Sequence, residues 1–457
     1  MRLEVTNEPS LDGLASNWQP AGIHVAVNSN IEIPHPQPIG LAAHHGIVGR
    51  FVSLVSPHTE ADPSFLVLLF LVYAGNAFGR DAYISTGGDK HYSNLYLCAV
   101  GPTSGGRKGS ATGPVEMFFE VIDPEWVRGI QSGLSSGEGL IWCVRDPIFK
   151  LEKEKGNSEI YRKTCIDEGV KDKRLIIRQS EFHGALQMMK RPGNTLSPTI
   201  RDAWDRGTLN SLTKNSPARA TGAHISIVGN ITGEELLRGM LTDEMDNGFA
   251  NRFLWACSRR SRSLPEGGQL SSVCQSRDFK ELSNDFNLIR DRVSGPILRD
   301  KEAGDMWGRD DKPGAGLYNE LTRARRGLFG LCTARAAPIV LRLSLIYALL
   351  DGSQEIRREH LDAAFACWRY CEDSARFIFG DALGDSVADA ILNSLRLPSN
   401  RDGMTRKDIN SLFQRNKKSE EIGRALSLLE REGLAHKLPL ETNGRPAELW
   451  KLGGPNQ

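Results

Sequence analysis

The sequence predicts an α/β fold: a parallel sheet covered by helices, followed by a separate C-terminal module of three helices and a hairpin. Three observations carry that prediction. Short apolar runs alternate with segments of helical periodicity, the pattern of a parallel sheet covered on both faces. One of those runs leads straight into the glycine-rich stretch "GPTSGGRKGSATGP" (101–114), and a helical segment follows it. Residues 385–452 then read helix, helix, helix, strand, strand.

The elements follow in order. Residues 1–40, rich in Asn and Pro, read as an extended arm. From His44 to Gly79 the pattern is helical, with Asp62 as a cap and Pro63 in the first turn of the second helix. "HYSNLYLCAVG" suits a buried strand ending at Gly101, and "GPVEMFFEVI" a helix. "GLSSGEGLI" opens another helix, capped by Ser135 or Ser136. Three further strands lie in "KRLIIRQSEF" (173–182), "AHISIVGNIT" (223–232) and "RFLWACSRR" (252–260). Residues 263–315 read as polar and irregular. "ARAAPIVLRLSLIYALLDG" and "REHLDAAFACWRYCEDSARFIFG" are periodic helices, with Pro338 near the start of the first. The expected division is an arm (1–40), a helical region (41–92), a core (93–262), a helical lid (263–380) and a tail module (384–457).

Bulk properties narrow the class. The 457 residues exceed one ordinary core. With a net charge of +1, no whole-chain field draws in nucleic acid or membrane, so any basic surface is local. The longest apolar run, Phe65 to Ala74, is too short to span a bilayer, and "MRLEVTNEPS" is not of signal type. A cytoplasmic protein without membrane contact is expected. Its eight cysteines lack a C-x-x-C pair and read as reduced, mostly buried thiols. Cys367 and Cys371 are four apart, which suits one helix face. No zinc site is visible, and His44, His45 and His91 read as structural or surface residues.

Glycine-rich backbone between a strand and a helix makes a nest for phosphate oxygens. The usual spacing is G-x-x-x-x-G-K-[ST]. Here Gly101, Pro102, Thr103, Ser104, Gly105 and Gly106 keep the gap, but Arg107 precedes Lys108 and Gly109 precedes Ser110. Lys108 can neutralise the terminal phosphates of ATP, and the Ser110 hydroxyl can hold Mg²⁺. The alternative is a solvent-exposed turn. Glu181 ends a buried strand, where a carboxylate can polarise water; the alternative is a helix-start residue favoured by the macrodipole. Ser180 stands where a metal-binding Asp is usual. Asn230, at the tip of "ISIVGN", is either a polar sensor or a turn residue.

The segments "EADPSFLVLLFLVYAGNAFGR", "HYSNLYLCAVGPTSGGRKGSA", "GLSSGEGLIWCVRDP", "SEFHGALQMMKRPGNTLSPTIRDAWDRGTL" and "NGFANRFLW" resemble, in this order, the DUF3987 family. Its members are bacterial, phage and plasmid proteins regarded as helicase-like P-loop ATPases, often beside primase-polymerase modules. The resemblance covers residues 41–375. It implies a P-loop NTPase core with the motif order of AAA+ and MCM-like ring ATPases, in which a polar residue on a neighbouring strand senses the γ-phosphate. Asn230 then has that role, and Arg252 in "NRF" that of an arginine finger acting on the neighbouring subunit's nucleotide. Arg335 falls at a lid-arginine position. A hairpin before the sensor strand is expected to grip DNA through Lys214 and Arg219. A homo-oligomeric ring, expected as a hexamer, and a separate primase or replication protein are the implied partners.

The tail pattern is that of a winged helix, whose third helix enters the major groove. Residues 396–451 hold 12 Lys/Arg against 8 Asp/Glu, a mild basic bias that suits phosphate contact. Arg406, Lys417, Lys418, Arg424 and Arg445 are the candidate contacts; docking to protein is the alternative. The sequence thus points to an ATP- and Mg²⁺-dependent DNA helicase or translocase of replication or mobile-element type. A nucleotide-dependent DNA-binding switch is the second reading, and an inactive structural module the third.

Overall fold

The computed structural model describes residues 34–102, 108–154, 157–212, 218–239, 247–309, 314–380, 382–383, 385–414, 416–440 and 447–453. Its centre is a sheet of four parallel strands, β1 (Tyr96–Val100), β2 (Arg174–Gln179), β3 (His224–Ile231) and β4 (Phe253–Cys257), in the spatial order β4-β1-β3-β2. Every residue of β1 and β4 is buried. Strands covered on both faces need such unbroken apolar runs.

Helices α1 (Gly46–Val55), α2 (Pro63–Phe78) and α3 (Thr112–Ile122) lead into and out of β1. Asp62 caps α2 by accepting from the Ser64 N–H at 2.9 Å, and Pro63 opens the helix, as expected. α2 is apolar all round and buried over nearly its whole length, the mark of a helix inside a core. The polar side chain of Asn76, in its last turn, joins it to the sheet. The Asn76 amide donates to the carbonyls of Leu175 and His224 and to Ser226 Oγ, and its oxygen accepts from Trp126 Nε1 at 3.0 Å. The opposite face is covered by α4 (Phe182–Met189) and α5 (Leu196–Asp205); Tyr96 Oη donates to the carbonyl of Ile200 on α5. A Cβ on Gly229 of β3 would stand 2.7 Å from the Phe182 ring, so only glycine lets α4 lie this close.

Beyond the sheet lie α6 (Gly327–Thr333), α7 (Ala336–Leu350) and α8 (Arg358–Phe379). α8 shields the edge strand β4: Tyr370 Oη donates to the Cys257 carbonyl at 2.5 Å, and Ser374 Oγ accepts from the Cys257 N–H. Cys367 and Cys371 are both buried on α8. The helical stretch Gly327–Leu350 has the length and hydropathy of a membrane span, yet 72% of its most apolar window is buried inside the protein. Within it, Arg342 donates to Asn94 and to the Trp204 carbonyl.

Two parts depart from expectation. Residues 263–315 are not irregular throughout; they contain helices Leu270–Gln275, Arg277–Arg290 and Lys301–Trp307. Phe279, Leu282 and Phe286 recur at helical spacing and are buried, the two rings against Phe118, while the other faces are charged and hide the pattern. The chain between Ile148 and Asp167 forms an antiparallel hairpin that leaves Phe149, Leu151 and Tyr161 exposed. Its dense Lys/Glu content masks strand alternation.

The tail builds its own core. α9 (Ser386–Leu395), α10 (Arg406–Leu412) and α11 (Ser419–Arg431) pack against a small antiparallel sheet of Met404–Thr405, Ala435–Leu440 and Ala447–Leu452. Ile391, Ile409, Leu426 and Trp450 lie at its centre.

Three helix ends meet at His45, Asp351 and His360. His45 Nε2 and His360 Nε2 both face Asp351 Oδ2, at 2.7 and 3.1 Å. The trio has the composition of a metal site. However, His360 Nδ1 accepts from the Arg357 N–H at 3.0 Å, so in the neutral ring Nε2 carries the proton and offers no lone pair to a cation. The trio is better described as a hydrogen-bonded clasp. The hydrogen bond to Asp351 raises the His45 pKa against partial burial. Burial disfavours the Asp351 anion, but the hydrogen bonds from His360 and His45 outweigh it and hold this carboxyl below its usual range. A raised His pKa gives stability that is present below the unfolded value of about 6.5 and is lost as pH rises through the folded value. The depressed Asp gives stability present above about pH 4 and lost as pH falls. The melting temperature is expected to fall as pH rises above about 6.5, and to fall less in Asp351→Asn. Equal pH slopes in the two proteins would contradict this.

Candidate functional site

Parallel strands send their following segments out on one side, and ligands of open α/β sheets gather there. In the register, Val100 lies beside both Ile231 and Cys257, and Gln179 beside Gly229. Gly101 leaves the sheet next to Ile231, whose carbonyl accepts from the Gly101 N–H at 3.3 Å. Ser180 and Glu181 leave β2 one and two steps beyond Gln179, level with the end of β3. β3 separates β1 from β2, so the glycine segment and Glu181 begin two strands apart, about 10 Å at ordinary strand spacing. Asn230 sits on the strand between them.

Of the glycine segment, Gly101, Pro102, Gly109, Ser110 and the backbone of Lys108 are described. Thr103, Ser104, Gly105, Gly106, Arg107 and the Lys108 side chain lie outside the described residues. Lys108–Ala111 forms a 3-10 turn that runs directly into α3. Ser110 is exposed, and among the described residues nothing lies within 4 Å of where Gly109 would carry a Cβ.

Alternation along β3 places Ser226, Val228 and Asn230 on one face. Asn76 of α2 reaches Ser226 at 3.1 Å, so this face is the one covered by α2. Asn230 Oδ1 is buried and has no hydrogen-bond partner among the described residues. Leaving such an atom unsatisfied costs about 1–3 kcal/mol, and native structures keep one where a water or ligand completes it. Glu181 is exposed at the start of α4, and its carboxylate makes no cap hydrogen bond. Direct capping therefore does not account for it.

Sequence reasoning missed the tie that sets α3 against β2. Arg178, three residues before Glu181, holds both oxygens of Glu116 on α3 at 2.7 Å, and Tyr73 Oη donates to the same carboxylate at 2.8 Å. The only signal was an arginine inside the apolar run "LIIRQS"; its partner is 62 residues away.

The predicted arginines lie at the other end of the sheet. Arg252 immediately precedes Phe253, which pairs with Tyr96 at the start of β1. That is roughly 15 Å from Gly101 at the usual rise per residue. Arg252 is 5% exposed and pairs with Asp205 at 2.6 Å. Arg335 pairs with the other oxygen of Asp205 at 3.3 Å. Arg342, Arg335 and Arg252 stand 3.5, 5.2 and 5.8 Å from the centre of the Trp204 ring. The structure thus groups Arg335 with Arg252 rather than with the glycine segment.

The hairpin before β3 is present, with Leu209–Ser211 pairing Ala218–Ala220. Arg219 on it is exposed, and Lys214 lies outside the described residues. In the tail, Arg406 pairs with Glu448 and donates to the Ser419 carbonyl, Lys417 pairs with Glu421, and Arg424 pairs with Asp385. Lys418 is exposed at the start of α11. Arg445 lies outside the described residues.

No protein-family model matches the chain, and no curated protein matches it. Asp205→Ala would leave Arg252 nearly buried without its counter-charge. A loss of about 2–3 kcal/mol in urea unfolding is expected, with part recovered in Asp205→Ala/Arg252→Met. A loss below about 0.5 kcal/mol, the level of an ordinary surface change, would contradict the assignment.

Proposed function

We propose that the protein is an ATP-hydrolysing, ring-forming P-loop ATPase of AAA+-like type that acts on DNA, with a winged-helix tail. The observation that carries this reading is the shared rim. The glycine segment and Glu181 follow two parallel strands, and Asn230, whose oxygen has no partner among the described residues, stands near the end of the strand between them. The sensor residue stands on the strand neighbouring β1, as the likeness to ring ATPases and to the DUF3987 family implies.

The chemistry is phosphoryl transfer to water, which depends on positioning and charge. Backbone N–H groups between Pro102 and Lys108, together with Lys108 itself, hold the phosphates, because the Gly101 N–H is already given to Ile231 and Pro102 has none. Glu181 orients a water and draws on its proton. The Asn230 amide suits the space between, because its oxygen accepts from that water while its NH₂ donates to the terminal phosphate. The water oxygen bonds to the γ-phosphorus as the bond to the bridging oxygen breaks. Ser110, helped by Ser180 or water, would hold Mg²⁺, which neutralises charge on the terminal phosphates when bound. Arg252 lies too far from its own rim to serve it; to act on a neighbour's nucleotide, with Arg335 beside it, it would have to leave Asp205 and its buried setting. Lys418, Arg406, Lys417 and Arg424 are the tail's DNA contacts in this reading, and Arg219 that of the hairpin.

A nucleotide-dependent DNA-binding switch is the second reading, favoured by Ser180 in place of the metal-binding Asp. Hydrolysis confined to a single turnover, without strand separation, would select it.

Lys108→Ala and Glu181→Gln are each expected to lower DNA-stimulated kcat by about 100-fold or more. Mixing Arg252→Ala with Glu181→Gln subunits should restore part of the activity. Unchanged hydrolysis in Lys108→Ala would refute the loop assignment, and no rescue at any ratio would refute the finger.

A further inference from the structure

We propose that the groove between α8 and the loop Arg323–Arg326 is a binding site for the phosphate backbone of a nucleic acid. The groove holds about 380 Å³, and four of its lining residues are arginines: Arg323, Arg325, Arg369 and Arg376. Two glutamates, Glu320 and Glu372, also line it, so the groove keeps a net positive charge of two, which a polyanion lying across it would compensate.

The four are not equivalent. Arg325 is committed: it pairs with Glu372, whose side chain is only 4% exposed, and so it cancels a buried carboxylate. The other three are available. Arg369 and Arg376 are each about half exposed; their closest pairs are surface ones, to Glu320 at 3.3 Å and to Asp373 at 3.2 Å, and Arg369 also stands 3.9 Å from Glu372, whose near partner is Arg325. Such pairs are worth about 0–1 kcal/mol and yield readily to phosphate. Arg323 is exposed and has no ion pair among the described residues.

Spacing selects a polyanion over a single phosphate. Arg369 and Arg376 lie seven residues apart on α8, about 10 Å along the axis, so one small anion cannot engage both while successive phosphates of a strand can. Guanidinium forks match phosphate oxygens. The half-buried Phe329 ring lies under Arg376 at 4.9 Å and steadies that guanidinium at the groove. The same loop also reaches the tail: Arg326 Nη1 donates to the Glu432 carbonyl at 2.9 Å, just past α11. The site extends the DNA-binding reading but needs no ATP chemistry, so the two fail separately.

The test uses the full chain and a labelled oligonucleotide of about 30 nucleotides, single-stranded and duplex, titrated by anisotropy across a salt series. The variant is Arg323→Ala/Arg369→Ala/Arg376→Ala; Arg325 is left intact because removing it would strand Glu372. Affinity is expected to fall about 10- to 100-fold, and the log–log salt slope to shrink by about two. An unaltered melting temperature establishes that the variant folds. If it does not fold, Arg323→Glu alone is read in its place, with the same direction expected. Unchanged affinity and slope would overturn the proposal. So would poly-glutamate displacing the oligonucleotide at equal charge concentration, because it would assign the groove to an acidic protein. A lost salt slope in a protein that shows no ATPase activity would uphold the groove and remove the ATP reading.

Discussion

The parallel register of four strands is the constraint on which the rest of this molecule depends. A parallel sheet has two unlike edges. Everything that follows β1, β2 and β3 is delivered to one edge, and everything that precedes β1 and β4 to the other. Glycine backbone, a carboxylate and an amide far apart in sequence become neighbours without any direct bond between them. The same geometry sends Arg252 and Arg335 to the opposite edge, where Asp205 and the face of Trp204 hold them. The glycine segment and Glu181 thus lie at one end of the strands, and the paired arginines at the other.

The register is itself held by a few polar anchors in an apolar interior. Asn76 spends all its hydrogen-bonding capacity on two strands and Trp126, so α2 cannot slide along the sheet without stranding buried carbonyls. Arg178 and Glu116 do the same for α3, which carries the end of the glycine segment. Gly229 lets α4 approach β3 closely enough to fix where Glu181 emerges. Strength here comes from apolar burial, and precision from these few bonds. Asn230 differs from these anchors: its Oδ1 is buried, yet it is one of several buried polar atoms that lack a hydrogen-bond partner among the described residues.

Much of this was legible in the residues. Unbroken runs such as "LYLCAV" and "ISIVG" could only be covered strands, and Asp62-Pro63 could only open a helix. The tail followed from three amphipathic stretches and paired strands. Helix Arg277–Arg290 was hidden because charges fill every face but the one bearing Phe279 and Phe286. The hairpin Ile148–Asp167 was hidden because it packs on little but itself, so no apolar face marks it. Pairings across the fold, such as Arg178 with Glu116 and Asp205 with two arginines, depend on which elements meet, and no local spacing encodes that. The clasp of His45, Asp351 and His360 was invisible for the same reason, being spread over 316 positions.

The central claim is that a nucleoside triphosphate binds at the carboxyl ends of β1, β3 and β2. Its most direct measurement is an experimental structure with a non-hydrolysable ATP analogue and Mg²⁺. The account predicts the phosphates over the segment 101–110, with the Asn230 amide in hydrogen-bond contact and Glu181 facing the terminal group. An analogue bound elsewhere, or none bound at saturating concentration, would contradict it.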